Sequence, residues 1–401
     1  MTVSTCELRT RFAAALSRMY GAEVLAYTTL VDVCTEINRD HAGDAALGSL
    51  ERITAERHGA IRVGSPSELA HVADLFAAFG MHPVGYYDLR GAASPVPVVS
   101  TAFRPVDPDE LAQNPFRVFT SILASADIRF FDPDLRARID RFLTERELFD
   151  PTLIADARII AVNGGCRASD ADAFVARAVS AFALSRAPID AAWYSELTRV
   201  SAVAADIAGV RTTHVNHLTP RVVDIDELYR RMEDRGIAMT GRIQGPPRWD
   251  GPDVLLRQTS FRALAEPRLF RDTEGAVTEG SLRVRFGEVE ARGVALTPRG
   301  RDRYDAAIAG HQPWGTYFPA THAELAAAGL AYYRGGDPTK PLVYEDFLPI
   351  SAAGIFRSNL DTDTVAVDAP DQSGYGADWL AGVIDHHVHD PYDLYEKAAA
   401  S

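Results

Sequence analysis

Arg57-His58-Gly59-Ala60-Ile61-Arg62-Val63-Gly64 runs directly into Ser65-Pro66-Ser67-Glu68, and these two stretches set the reading of the whole chain. The first alternates bulky and small residues and ends at glycine, which predicts a short strand. On a two-residue period His58, Ala60 and Arg62 share one face, and ~3.3 Å per residue separates the first and last by roughly 13 Å. That span suits a short dicarboxylate held between a metal and an arginine. The second stretch puts Ser at the N-cap, Pro at N1 and Glu at N3, a capping box. It predicts a helix over Glu68–Phe79 that stops at Gly80. Strand-like runs at Val84–Leu89, Val96–Phe103 and Phe116–Leu123 complete a β-α-β-β-β unit.

The pattern then returns. His214-Val215-Asn216-His217-Leu218-Thr219-Pro220-Arg221 precedes Asp224-Ile225-Asp226-Glu227, a second capping box, whose helix should run to Arg235 and stop at Gly236. His58 lies seven residues before its N-cap Ser65, and His217 lies seven before Asp224. Thr101-Ala102-Phe103-Arg104 begins 43 residues after His58, and Thr259-Ser260-Phe261-Arg262 begins 42 after His217. Phe116-Arg117-Val118 finds a counterpart in Leu282-Arg283-Val284. Matches in register over this length indicate a duplicated supersecondary module.

Two such modules can pair into a curved, half-open sheet whose concave face gathers their first and last strands. His58 and His217 then occupy equivalent places. His214 has the opposite strand parity to His217, and the repeat selects His217. The expected last strand, Ser281–Glu290, offers Glu288 and Glu290, which share parity and so both remain open. Gly287 permits close backbone approach and leans the choice toward Glu288. Two histidines, one carboxylate and open coordination positions form the facial triad of non-haem Fe(II) oxygenases.

The composition sets the class. The chain has 401 residues, 47% hydrophobic and 24% charged, the balance of a soluble globular protein with a large core. A net charge of -14 argues against nucleic acid and means that an acidic substrate needs a local arginine or metal. Cys6, Cys34 and Cys166 stand far apart, which implies neither a disulfide framework nor a thiolate zinc site. Without an apolar leader or a membrane-length apolar run, a cytoplasmic protein is expected, with its oligomeric state left open. P-loop, G-x-G-x-x-G and G-x-S-x-G patterns are absent.

Outside the modules, residues 5–20 and 23–38 read as helices. Residues 127–210 read as a helical insertion, with helices over Asp127–Arg146, Pro151–Ala161, Ser169–Leu184 and Ala191–Ala208. His386, His387 and His389 lie near the C-terminus and are read as solvated rather than metal-binding, and His71 and His82 as surface or packing residues. Leu342–Pro349 reads as a further strand. It leads into Ile350–Phe356, where small residues would let backbone N–H groups approach an anion.

Several segments together resemble the 2-oxoadipate dioxygenase/decarboxylase family, the hydroxyglutarate synthases of the vicinal-oxygen-chelate superfamily. They are Glu56–Gly64, Pro83–Leu89, Pro115–Ser121, Asn216–Arg221, Leu255–Phe261, Arg285–Glu290 and Val343–Phe356, in order across most of the chain. The resemblance implies metal ligands at His58, His217 and Glu288, with Fe(II) as the metal. It implies substrate contacts at those residues, at Arg62 for a distal carboxylate, and at Ile350 and Ser351. It also implies conversion of 2-oxoadipate and O2 to 2-hydroxyglutarate and CO2 in lysine breakdown. The segment between Tyr304 and Tyr332 looks shorter than the family's.

The expected architecture is thus α+β: a half-open curved sheet of paired β-α-β-β-β modules (51–126 and 211–300). Helical additions fall at 1–50 and 127–210, and a C-terminal extension (301–401) adds a strand to the site. The residues alone leave two competitors, a non-redox divalent-metal isomerase or lyase and a small-anion-binding protein with a structural metal.

Overall fold

Ser65 Oγ accepts from Glu68 N, and the Glu68 carboxylate accepts from Gly64 N and Ser65 N, so the first capping box closes fully. In the second, Asp224 accepts from Asp226 N and Glu227 N. Glu227 turns outward to Arg230 and Arg231 instead, so only half of that box forms. The helices end at Ala77 and Asp234, two residues and one residue short of the expected Phe79 and Arg235, and the expected glycines follow at φ 64° and 76° (Gly80 and Gly236).

The computed structural model describes residues 2–41, 49–91, 95–263, 265–310, 312–348 and 371–401. Strand β1 (Thr2–Ser4) and helices α1 (Thr5–Glu23), α2 (Leu25–Asp40) and α3 (Leu50–Ala55) lead into the first module. That module comprises β2 (Arg57–Val63), α4 (Pro66–Ala77), β3 (His82–Asp88), β4 (Val98–Arg104), α5 (Pro108–Gln113) and β5 (Arg117–Leu123). The insertion carries α6 (Pro133–Thr144), α7 (Pro151–Asn163), β6 (Gly165–Arg167), α8 (Ala168–Ser180), β7 (Ile189–Asp190), α9 (Ala191–Val200) and α10 (Ala202–Ala208). The second module has β8 (His217–Pro220), α11 (Ile225–Asp234), β9 (Leu256–Phe261), β10 (Glu266–Arg271), β11 (Val277–Leu282) and β12 (Gly287–Arg292). Helices α12 (Pro298–Ala309), α13 (His322–Ala327), α14 (Ala377–Ile384) and α15 (Pro391–Ala400) follow.

The modules meet along β2 and β8. Five strands pair in the order β3-β4-β5-β2-β8, and β12-β9 continue the curve through an Arg221–Glu290 bridge and Val222 N donating to Glu290 O at 2.8 Å. The antiparallel pairs His58↔Thr219 and Ala60↔His217 exchange under a two-fold relation that carries residue 58 to 217 and 60 to 219. Each module then runs outward in the same order, β2-β5-β4-β3 in one and β8-β12-β9 in the other.

The second copy has diverged from the expected β-α-β-β-β pattern. The counterpart of β3 is reduced to bridges from Met239 and Gln244 to β9. The strand expected over Ser281–Glu290 is two elements. Leu282 ends β11, pairing with Glu266 in a hairpin that joins β7 in a separate sheet, and β12 starts only at Gly287. Leu282-Arg283-Val284 is therefore not the counterpart of Phe116-Arg117-Val118; β12 occupies the position of β5. The helix expected over 191–208 breaks at Ser201, which is extended (φ -165°, ψ 137°) and caps α10 by accepting from Val203 N. The one expected over 127–146 starts at Pro133, because Asp132 caps there and Asp127 is drawn to Arg90 and Arg129. Residues 342–348 make only an isolated bridge, Val343 to Val294, where a strand was expected; Pro349 lies outside the described residues.

Ile61 and Val63 point into the main core beside α1, α2, α4, α7 and α8, while Ala60 points to the opposite side among Phe119, Phe286 and Phe347. The strand alternation thus puts His58 and Arg62 with the second set. Helix α1 is fixed by Phe12, stacked on Phe79 at 4.4 Å, and by Tyr20, whose hydroxyl donates to Asn216 O and Phe286 O at 3.0 and 2.8 Å. Among the described residues no helix is long and apolar enough to cross a membrane.

Gly287 stands directly across the ladder from Phe261, and a Cβ there would lie 1.7 Å from the ring. Gly287→Ala should therefore cost about 1–3 kcal/mol by overpacking. A lower urea midpoint with an unchanged m-value is the expected result.

Candidate metal centre

His58, His217 and Glu288 bring one ligand atom each within 4.8 Å of the others, and they form the only such group of His, Cys, Asp and Glu among the described residues. The three are 1%, 4% and 3% exposed. The β2–β8 ladder sets the imidazoles diagonally across the seam with ring centroids 5.3 Å apart, and β12 beside β8 adds the carboxylate. His217 Nε2 lies 3.3 Å from Glu288 Oε2, and His58 Nε2 lies 3.8 Å from Oε1.

Each donor has a partner behind it. His217 Nδ1 meets Thr219 Oγ1 at 2.9 Å, and Gln258 Nε2 donates to Glu288 Oε1. His58 Nδ1 lies 3.0 Å from Glu290 Oε2, leaving Nε2 toward the centre, although the contact is off the ideal N–H direction. Such outer partners fix ring orientation and raise ligand basicity. Glu288 and Glu290 thus share a face, as the parity required, and take different places on it.

A buried charge cage holds Glu290. Arg292 contacts both its oxygens at 2.6 and 2.9 Å, and Arg117 reaches it at 3.5 Å. Arg117 also bonds Glu345 and, at 2.9 Å, Glu56, which Arg221 contacts at 2.9 Å. Burial works against ionising Glu290, but Arg292 and His58 overcome it and pull the carboxyl down to about 2.

Glu288 goes the other way. Burial, then the charge of Glu290, pushes its carboxyl well above the usual range. Burial also lowers His58, and it lowers His217 well below the ordinary imidazole value with help from His58 and Arg62. Two neutral imidazoles are in ligand form, and a carboxylate that is costly to ionise alone is relieved by a cation beside it. A divalent metal fits this donor set. Three protein donors leave positions open, as catalytic sites do, whereas structural sites are usually closed by four.

Arg62 lies on the same face of β2 as His58, buried and paired with Asp206 of α10. Phe119, Phe286 and Phe347 supply apolar walls. Phe347 meets His58 edge-on at 5.0 Å, and Phe286 stacks on His217 at 5.0 Å. Ile350 and Ser351 lie outside the described residues. His389 is tied by backbone bonds to β3, with its N donating to Pro83 O, and the C-terminal histidines form no ligand group among the described residues.

Sequence reasoning missed Asp206, Asn216, Gln258 and the supporting part played by Glu290. Asp206 had a signal, as the one charged residue in the apolar run Ala202–Ala208. Gln258 had a fainter one, a lone amide in a wholly buried strand.

Residues 12–359 match the family described as 2-oxoadipate dioxygenase/decarboxylase. A Mycobacterium bovis protein of that name is 70% identical over 404 residues, covering 99% of this chain and 97% of that one. The crystal structure of the hydroxyglutarate synthase in complex with 2-oxoadipate from Pseudomonas putida matches with a TM-score of 0.84 and 36% identity, over 99% of this chain and 96% of that one. A glyoxalase-superfamily protein from Ralstonia eutropha JMP134, at 19% identity and a TM-score of 0.55 over 73% and 84%, shares the fold.

His58→Ala, His217→Ala and Glu288→Ala should each lose high-affinity metal uptake, measured by elemental analysis after gel filtration, while far-UV circular dichroism stays native. His386→Ala should keep its metal. Full metal occupancy in any of the first three would remove that residue from the donor set.

Proposed function

The chain belongs to the 2-oxoadipate dioxygenase/decarboxylase family, and from that premise we propose that it converts 2-oxoadipate and O2 to 2-hydroxyglutarate and CO2 at the centre formed by His58, His217 and Glu288. A dioxygenase/decarboxylase assignment sets aside the non-redox and anion-sequestering readings. The observation that carries the proposal is the placing of three donors and Arg62 on one buried face.

His58, His217 and Glu288 would hold Fe(II), a borderline dication suited to two imidazoles and a carboxylate with positions to spare. Bound there, the metal supplies the redox chemistry that O2 requires and a Lewis acid for the 2-oxo acid. Glu290 and Thr219 keep the imidazoles turned inward, and Gln258 keeps Glu288 from rotating away. Arg62 is proposed to grip the distal carboxylate, with Ile350 and Ser351 completing the substrate contacts as the family resemblance implies. The phenylalanine walls exclude water from the intervening carbons.

Two grips on one substrate have a consequence. When the C1–C2 bond breaks and CO2 leaves, the five-carbon remainder is still held by Arg62, so the hydroxylated carbon belongs to the same molecule. The atoms balance with one O2 per turnover: one oxygen enters the new carboxylate and one becomes the hydroxyl. The substrate is its own 2-oxo acid, and no separate one is consumed.

Under 18O2 both labelled atoms should appear in 2-hydroxyglutarate and none in CO2, with oxygen and 2-oxoadipate consumed one to one. Unlabelled product, or turnover without oxygen uptake, would overturn the reaction. Arg62→Ala should raise KM for 2-oxoadipate by about a hundredfold, since a charge-assisted contact is lost, while a monocarboxylic 2-oxo acid is affected far less. Equal losses on both would show that Arg62 does not read the distal carboxylate.

A further inference from the structure

Arg62 does not stand by itself. Its Nη1 bonds the Asp206 carboxylate from α10, and both side chains are buried. Asp206 is in turn held from two further directions. Asn216 Nδ2 donates to Asp206 Oδ2 at 3.0 Å, and His214 Nε2 lies 3.1 Å from Oδ1. Asn216 also reaches Val284 O and His214 Nε2, both at 3.2 Å, and its backbone N donates to Ala60 O at 2.9 Å. Thr213 Oγ1 donates to Arg62 O at 2.8 Å. The segment 213–216 therefore ties the Arg62 strand, the Asp206 helix and the approach to β12 into one buried polar frame.

Burial alone would raise the Asp206 carboxyl, but His214 and Arg62 more than offset it, and the net direction is down. The carboxylate stays charged opposite the guanidinium. An arginine side chain has four rotatable bonds and a large rotamer entropy, so an unbraced guanidinium would sample several positions. A fixed carboxylate on one edge selects one of them and turns the fork in a defined direction.

We propose that Asp206, braced by Asn216 and His214, is the positioning residue that fixes the Arg62 guanidinium at the distance from the metal centre that a six-carbon dicarboxylic 2-oxo acid requires. The inference rests on the reading of Arg62 given above and deepens it. Selection of chain length then depends on a helix outside the repeated modules. One methylene is worth only about 10–200-fold in an apolar pocket, so a length filter needs its far anchor held still.

The test is anaerobic binding, by calorimetry on metal-loaded protein, of 2-oxoadipate, five-carbon 2-oxoglutarate and monocarboxylic 2-oxohexanoate, alongside steady-state kinetics. Asp206→Asn should weaken 2-oxoadipate by about tenfold or more, as misplacement of a binding group does. The preference for 2-oxoadipate over 2-oxoglutarate should shrink, 2-oxohexanoate binding should hold, and KM should rise more than kcat falls. Asp206→Glu, which restores the charge one methylene further out, should recover the dicarboxylate preference with an altered length ratio. Combined with Arg62→Ala, Asp206→Asn should have no further effect on 2-oxoadipate. If Asp206→Asn does not fold, His214→Gln should show the same selectivity loss in smaller degree. Unchanged selectivity in the folded variant, or equal losses on all three acids, would overturn the proposal while the reading of Arg62 stands. A wild-type chain that binds 2-oxoadipate no better than 2-oxohexanoate would overturn both.

Discussion

The antiparallel pairing of β2 with β8 is the constraint from which the rest follows. Side chains on a strand alternate faces, so a one-residue slip would send His58 or His217 to the opposite side of the sheet. The observed register puts Ala60 opposite His217 and Thr219 opposite His58, a two-fold arrangement that turns both imidazoles to one concave face. β12 enters parallel to β8 through the Arg221–Glu290 bridge, and its own alternation lines Glu288 and Glu290 up on that face. No loop conformation is needed to assemble the three donors. Strand pairing alone does it, which suits a site whose ligands must be held to fractions of an ångström.

That economy creates an electrostatic difficulty. Glu288 and Glu290 are two residues apart on one buried strand, roughly 7 Å along it. Two like charges at that separation repel by about 2 kcal/mol at an effective dielectric near 20. The cage of Arg117, Arg221 and Arg292 around Glu56, Glu290 and Glu345 decides which carboxylate stays ionised without further help. Arg292 and His58 win against burial at Glu290, while at Glu288 burial and the charge of Glu290 outweigh Arg292 and the Gln258 amide and drive it up. The strand thus carries one carboxylate satisfied by protein cations and one that a dication would satisfy. Glu56, wholly buried and pulled well down against its own desolvation by Arg221 and Arg117, shows how completely the cage is committed to anions.

The sequence revealed whatever was periodic or repeated. His58, His217 and the module order were legible because duplication leaves matched spacings, and the first capping box because its chemistry is local. Parity narrowed the carboxylate to Glu288 or Glu290 but could not say which one faced the arginines, since Arg117 lies far away in sequence and Arg292, on the same strand, shares the parity of both. The β10–β11 hairpin was misread for a related reason. Leu282-Arg283-Val284 has strand-like composition, and only the non-local pairing of Leu282 with Glu266 shows where that strand ends. The break at Ser201 was hidden because both flanking segments carry the same helical period, while a serine in either reads equally well as a cap or as an exposed helical residue.

The same division separates the two halves of the chemistry. Everything proposed to hold the metal lies on strands β2, β8 and β12, where the two-fold relation makes the geometry stiff and readable. The proposed reading of substrate length joins Arg62, on a repeated strand, to Asp206, on α10 of the insertion, with Asn216 and His214 bridging them. A duplicated module can supply a pair of equivalent ligands, but it cannot by itself distinguish one end of a substrate from the other, because its symmetry treats both ends alike. An asymmetric addition is what breaks that equivalence. Arg62 has a counterpart position at Arg221 under the two-fold relation, yet Arg221 is drawn back to Glu56 in the cage while Arg62 is paired with the insertion. The two arginines start from equivalent places on one face, and their acidic partners commit Arg221 to the buried cage and turn Arg62 toward the insertion, where it is proposed to meet the substrate.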